Sequence, residues 1–312
     1  MMQARDSASQ LACGRNQTRQ GARDHGATVM LIVLSLIWGV SWPVMKVALD
    51  EIPPFSMRVA TAGLGALTLV AVTTLQRRRI GISSPGAWLH LVVASSLNIV
   101  GYSLLASFAQ LGATTSRVAV LVYTMPIWAA LLARPVLGER ITVIRAFALA
   151  LCAAGLTVLL VPFLGGGIPG GMLLAVGAGA SWAAGTVYLK WARIDADPLA
   201  VTTWQLVIAF LLIGASLPLF EGAPHLWPVH AGALLALLFT GVIAVGIAYM
   251  LWFEIVRRLP ATTAALGILS VPALGVLSSM FMLGERPTLA DAAGFVLIIS
   301  AAGCVLVLEN KR

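Results

Sequence analysis

Charge is what this sequence has least of. Asp, Glu, Lys and Arg make up 10% of its 312 residues and hydrophobic residues 59%, whereas a soluble domain carries about 25% charged residues. No water-soluble fold of this length can bury so much apolar surface, so the class is an all-α polytopic membrane protein. Acid is the scarcer sign, with 12 Asp and Glu against 20 Lys and Arg. That balance alone could point to nucleic acid, but basic cytoplasmic loops of a membrane protein account for it, and no nucleic-acid partner is expected. Histidine and cysteine are scarce too. His25 lies in a polar N-terminal stretch, His90 at a segment end, and His225 and His230 between segments. Cys13, Cys152 and Cys304 lack metal-type spacing, and the last two sit inside apolar segments as inert core residues. Without an intramembrane His or paired carboxylates there is no nucleophile–base pair and no metal cluster. Without a phosphate-binding loop there is no ATP site. The chain is therefore not expected to be an enzyme, and no cofactor or metal is expected.

Long apolar runs are present in their place. A hydrocarbon core of about 30 Å needs about 20 apolar residues per helix. Ten segments meet this, at 27–48, 55–75, 87–109, 113–136, 142–162, 169–190, 199–219, 231–252, 261–283 and 289–308. The loops between them are too short for a soluble domain. Residues 1–26 are polar, with four arginines and no apolar periodicity, and read as a disordered cytoplasmic tail. With the N-terminus inside, 16 of the 20 Lys and Arg fall on the inner side, and Lys46, Arg58, Arg117 and Arg286 fall outside. The positive-inside rule then assigns both termini to the cytoplasm.

The sequence also echoes itself. Leu137-Gly138-Glu139-Arg140-Ile141-Thr142 recurs 146 residues later as Leu283-Gly284-Glu285-Arg286-Pro287-Thr288. The Gly suits a helix C′ position with positive φ, and the Glu lies near the N-terminus of the next helix, where negative charge is favourable. Trp38 with Lys46 matches Trp182 with Lys190, and Ala113-Thr114-Thr115 matches Ala261-Thr262-Thr263. The first copy follows four spans and the second follows nine, so the same turn faces opposite sides of the membrane. The expected architecture is ten transmembrane helices as two inverted five-helix repeats (5+5), N-in/C-in, over 27–162 and 169–308. Inverted repeats suit transporters, because two half-structures can exchange conformations and open to each side in turn.

The doubled Leu-Gly-Glu-Arg, the small-residue helices carrying Ala153-Ala154-Gly155 and Ala301-Ala302-Gly303, and the early Leu36-Ile37-Trp38-Gly39-Val40-Ser41-Trp42 resemble the EamA type of the drug/metabolite transporter superfamily. Arg58, in Pro54-Phe55-Ser56-Met57-Arg58, matches that family's Pro…Arg pattern. The resemblance implies transport of small molecules across a bacterial inner membrane. Within the family, the amino-acid exporters of the YddG type are the nearest in span count, topology and aromatic, carboxylate-poor interior.

The candidate substrate cavity is built from embedded polar and aromatic residues. Asn98 and Tyr102 share one face of span 3 with Ser95, and Trp38 and Trp42 share a face of span 1. Tyr123, Trp182, Tyr188, Gln205 and Tyr249 complete the set; Trp and Tyr near span ends also fit an ordinary interface belt. An amide such as Asn98 must bond across helices or face water. Lys46, Arg58 and Arg117 are candidates for a charged mouth, with snorkelling of Lys46 to the interface as the alternative. Gly177, Ser181 and Gly185 form a small-residue stripe suited to close helix packing. Pro126 and Pro272 are hinge candidates, since each frees a backbone carbonyl. No Asp or Glu lies in the middle of a span, which argues for export of small metabolites, amino acids foremost (aromatic or other neutral), by alternating access without ion coupling. A proton-coupled drug or toxicant efflux pump is the alternative. The partners expected are a small-molecule substrate and the lipid bilayer, with no obligate protein partner.

Overall fold

The computed structural model describes residues 2–82, 84–138, 142–163, 167–258 and 270–308, and among these it is helical with no strand. The first half contains α1 (Met2–Leu49), α2 (Pro54–Leu75), α3 (Pro85–Ser95), α4 (Tyr102–Gly112), α5 (Thr115–Val122), α6 (Met125–Leu137) and α7 (Val143–Leu160). The second contains α8 (Gly170–Ala192), α9 (Pro198–Phe220), α10 (Ala231–Leu238), α11 (Ala248–Arg258), α12 (Ser270–Leu283) and α13 (Leu289–Leu308). In lipid every backbone polar group must be satisfied within its own segment, which is why the apolar runs become helices. Several starts are set by proline: Pro54, Pro85 and Pro198 stand in the first turn of α2, α3 and α9, where a missing N–H and a fixed φ are no cost.

Among the described residues, eight helices are long and apolar enough to cross a membrane, and Ser270–Leu283 and Leu289–Ala301 are shorter apolar helices. The chain is thus a polytopic helical membrane protein. The N-terminal helix α1 runs from Met2, and only Gly26–Leu49 of it has span composition. Residues 2–25 contain no proline and several Ala, Arg and Gln, which are good helix formers once a helix downstream supplies the nucleus.

Spans 3 and 8 are not plain α-helix. A π-helical stretch, Ser96–Gly101, joins α3 to α4, and another, Phe239–Ile247, joins α10 to α11. Their starts are separated by nearly the 146-residue period of the echo. Such stretches are rare and mark functional bends. Span 4 is broken as well, by a turn at Tyr123–Thr124 between α5 and α6.

Two helix pairs cross between the halves in antiparallel fashion. Glu221, just past the end of α9, bonds the start of α2, while Arg78, past the end of α2, pairs with Asp197 before α9. Along α7 and α13, Gly155 lies against Gly294 and Ile298, while Ala148 and Ala301 share one core cluster. The main core lies between α1, α4, α5, α8 and α12, around Trp42, Met45, Val118, Leu121, Tyr123 and Met172.

Candidate substrate site and the ties between the halves

Five of the aromatic residues picked out from the sequence, Trp38, Tyr102, Tyr123, Trp182 and Tyr249, pack in two groups. Trp182 of α8 packs on Tyr102 at 5.3 Å and on Tyr123 at 6.1 Å between ring centroids. Trp38 of α1 packs edge-on to Tyr249 at 6.2 Å and lies 6.1 Å from Trp252. The Trp38 indole donates to the Ala244 carbonyl at 3.1 Å, inside the second π-helical stretch. Trp42 is buried against Gly275. Tyr188 is not part of this group. It lies further along α8, where its hydroxyl meets His90 Nδ1 at 2.8 Å and its ring faces Trp191.

Asn98 sits in the first π-helical stretch and donates from Nδ2 to Gln205 Oε1 of α9 at 3.2 Å. Ser95 donates to the Gln205 carbonyl at 2.7 Å, so α9 is tied to span 3 twice. Asn98 Oδ1 is buried and has no hydrogen-bond partner among the described residues. The small-residue stripe acts as expected from its spacing. Ser181 donates to the Leu97 carbonyl at 2.7 Å, and Gly185 lies directly against the Asn98 backbone.

The three cations expected at a mouth have three different environments. Lys46 is paired with Asp50 on its own helix end. Arg117 makes a two-pronged bond to Asp291, Nε to Oδ1 at 2.6 Å and Nη2 to Oδ2 at 2.9 Å, and lies 5.0 Å above the Phe163 ring. Arg58 is buried, and its Nε donates to Ser107 Oγ at 2.6 Å.

The echoed turn proves to be a tie between halves. Gly138 and Gly284 both have positive φ, 71° and 67°, the left-handed C′ conformation that favours glycine. Glu285 does serve a helix N-terminus, but of α5 rather than of the helix that follows it. Its carboxylate accepts from Thr115 N at 2.6 Å, Ser116 N at 2.8 Å and Ser116 Oγ. The following helix is capped by its own box: Asp291 accepts from Thr288 N and Thr288 Oγ, each at 2.9 Å, and Thr288 Oγ accepts from Asp291 N at 3.2 Å. A cavity of about 80 Å³ lies in this cluster, lined by Arg117, Glu285, Asp291 and Phe295 among others. Glu221 performs the same service for α2, accepting from Phe55 N at 2.7 Å and from Ser56 N at 2.8 Å. The first copy of the turn lies outside the described residues at 139–141, as does Ala261-Thr262-Thr263. By sequence it cannot repeat the whole cluster, because Arg145 stands where Asp291 does and Ala265 where Arg117 does.

Of the hinge candidates, Pro126 stands in the first turn of α6, directly after the break in span 4, and Pro272 is buried near the start of α12. Two features went unread in the sequence: the π-helical bends, and the buried face of Ser103, Ser107 and Gln110 on α4. The 4- and 3-residue spacing of that polar face is a readable signal.

The sequence model of the EamA-like transporter family matches residues 26–161 and, a second time, 169–308. The chain belongs to the EamA-like transporter family. The family is one of transporters rather than enzymes, and the double match falls on the two halves that the echo divides. Among curated relatives, the uncharacterised transporter YoaV of Bacillus subtilis is 27% identical, over 86% of this chain and 92% of its own length. A "Probable amino-acid metabolite efflux pump" of Salmonella typhimurium is 28% identical, over 89% of this chain and 93% of its own. One solved crystal structure shares the fold at a TM-score of 0.65 and 24% identity, covering 92% of this chain and 98% of that one.

Proposed function

We propose that this EamA-like protein exports small neutral amino acids, aromatic ones among them, or closely similar metabolites through a bacterial inner membrane. It does so by alternating access and without ion coupling. The observation that carries the reading is the double family match on halves whose equivalent helices, α2 with α9 and α7 with α13, pack antiparallel. That arrangement fits ten spans in two inverted halves, N-in/C-in, with an in-plane pseudo-twofold that lets the halves exchange conformations. The π-helical bends in spans 3 and 8 supply matched points of flexure beside the aromatic centre. The amino-acid part of the reading is supported by the efflux-pump relative and by the Tyr102, Tyr123 and Trp182 group, whose faces suit an apolar or aromatic side chain.

Coupling follows from what the interior holds. A proton-driven carrier needs a group that gains and loses a proton inside the membrane on each cycle. Among the described residues the buried charged groups are Arg58 and Asp291, and Asp291 is neutralised by Arg117. A zwitterion moves no net charge, so the membrane potential, worth about 2.3 kcal/mol per charge per 100 mV, does not drive it. In proteoliposomes, uptake of radiolabelled L-phenylalanine should saturate, accelerate with substrate preloaded on the far side, and ignore an imposed pH gradient. Accumulation driven by that gradient would overturn the uncoupled reading in favour of proton-coupled drug or toxicant efflux. The topology is checked in the same vesicles: cysteines at Gly138 and Gly284, at helix ends with open space around them, should react with an impermeant reagent from opposite sides, and reaction from one side defeats the inverted repeat.

A further inference from the structure

We propose that Arg58 and Ser107 form the anion-binding end of a substrate subsite, and that they take the carboxylate of a small amphiphile such as an α-amino acid. The proposal rests on the transport reading above and narrows its substrate class. Lys46 and Arg117 already have carboxylate partners. Arg58 is only 7% exposed, and no carboxylate lies within ion-pair reach of it among the described residues. Its Nε donates to Ser107 Oγ at 2.6 Å, and its Nη2 is directed at the Met45 sulfur, a weak acceptor. Most of the five donors of its planar fork are therefore without an oxygen partner. Arg58 also stands just past the first turn of α2, near the positive end of the helix dipole, which neutralises nothing. A buried, uncompensated charge is costly, and in a membrane span such a charge is retained for what it binds. The fork matches a carboxylate in a way a point charge does not.

The neighbouring turn supplies the complementary group. Gln110, one turn beyond Ser107 on α4, is 1% exposed. Its Nε2 donates to the Trp42 carbonyl at 3.1 Å; that bond settles which way the amide faces, since its oxygen would repel another carbonyl. Its Oε1 is buried without a hydrogen-bond partner among the described residues. One buried face thus offers an underused cation and an unused acceptor, the complements of a zwitterion's carboxylate and ammonium. Tyr102, also on α4, is close enough to Arg58 to interact electrostatically and packs on Trp182, so the aromatic centre adjoins the polar end.

The full-length protein in nanodiscs should be titrated calorimetrically with L-phenylalanine, 3-phenylpropanoate and 2-phenylethylamine. Wild type should bind the two carboxylates roughly tenfold to a hundredfold more tightly than the amine, the range for hydrogen bonds to charged groups. Arg58→Gln should erase that preference. Arg58→Lys and Ser107→Ala, which keep the charge, should weaken the carboxylates while leaving the amine unchanged, and they carry the test if Arg58→Gln does not fold. Equal affinity for all three probes, binding of none, or a preference that survives Arg58→Gln overturns the proposal. Carboxylate preference without saturable uptake keeps the subsite and defeats the carrier reading. Saturable uptake without the preference does the reverse.

Discussion

Replacing Arg117 with methionine should loosen one end of the seam between the halves without unfolding either. Arg117 belongs to α5 in the first half and Asp291 to α13 in the second, joined by two charge-assisted bonds of 2.6 and 2.9 Å. If the halves part on this side during the cycle, the pair must break each time. Removing one partner of a fully buried pair costs about 3–5 kcal/mol. The side chains here are 19% and 6% exposed, and Asp291 keeps its two bonds from Thr288. The discounted cost is about 2–3 kcal/mol, which shifts a closed–open equilibrium roughly 30- to 150-fold. Ala119 is the place to read it, being fully buried on α5 against Gly275 of α12. In a background with Cys13, Cys152 and Cys304 replaced, a cysteine at 119 should react with an impermeant maleimide faster by about that factor when Arg117→Met is present. The exchange Arg117→Asp with Asp291→Arg should restore slow labelling. Unchanged labelling in a variant of unchanged Tm would show that the pair does not hold the seam and would refute the reasoning.

Two further predictions concern packing and pH. Gly185→Ala would place a Cβ 2.6 Å from Asn98 Cβ and 2.7 Å from its backbone N, so a thermal melt should show a loss of about 1–3 kcal/mol, whereas Gly232→Ala, with open space around it, should leave the melt unchanged. The Glu51 carboxylate is held below its ordinary value of 4.5 because it accepts the His230 backbone N–H at 2.8 Å, with a further bond from the ring. A depressed carboxylate stabilises the folded arrangement above its unfolded pKa and loses that contribution as pH falls through the lower folded value. The protection factor of the amides around residue 230, which corrects for the intrinsic rate at each pH, should therefore be high above about pH 4.5 and fall on acidification below it. Glu51→Gln should lower it at neutral pH, and a pH-independent pattern in the wild type would contradict the tie.

Features written in local sequence are legible from residue type and spacing alone. Gly138 and Gly284 sit at left-handed helix ends, as their place after apolar runs implies. Gly177, Ser181 and Gly185 have four-residue spacing, and Ser181 and Gly185 pack α8 onto span 3 as that spacing implies. Asn98 bonds across helices, one of the two fates open to an amide in hydrocarbon. Features that depend on a distant partner are legible only in kind. Glu285 is recognisable as an anion at a helix start, yet the helix is α5, 170 residues away in the chain. Lys46, Arg58 and Arg117 form one group in the sequence, and only their neighbours separate two neutralised cations from one buried without an acid. The π-helical stretches have no local mark; each accepts a bond from a distant helix, Ser181 to the Leu97 carbonyl and Trp38 to the Ala244 carbonyl.

By itself the sequence determined that this is a helical, polytopic membrane protein and that it is a doubled unit. Lipid leaves the backbone no other partner than its own helix, so composition and run length suffice. Tertiary structure decided which charges meet and which polar groups stay unpartnered. The ties of Glu221, Glu285 and Asp291 to the other half join residues 165 to 174 positions apart. No local periodicity specifies such pairings, because they depend on how whole helices pack.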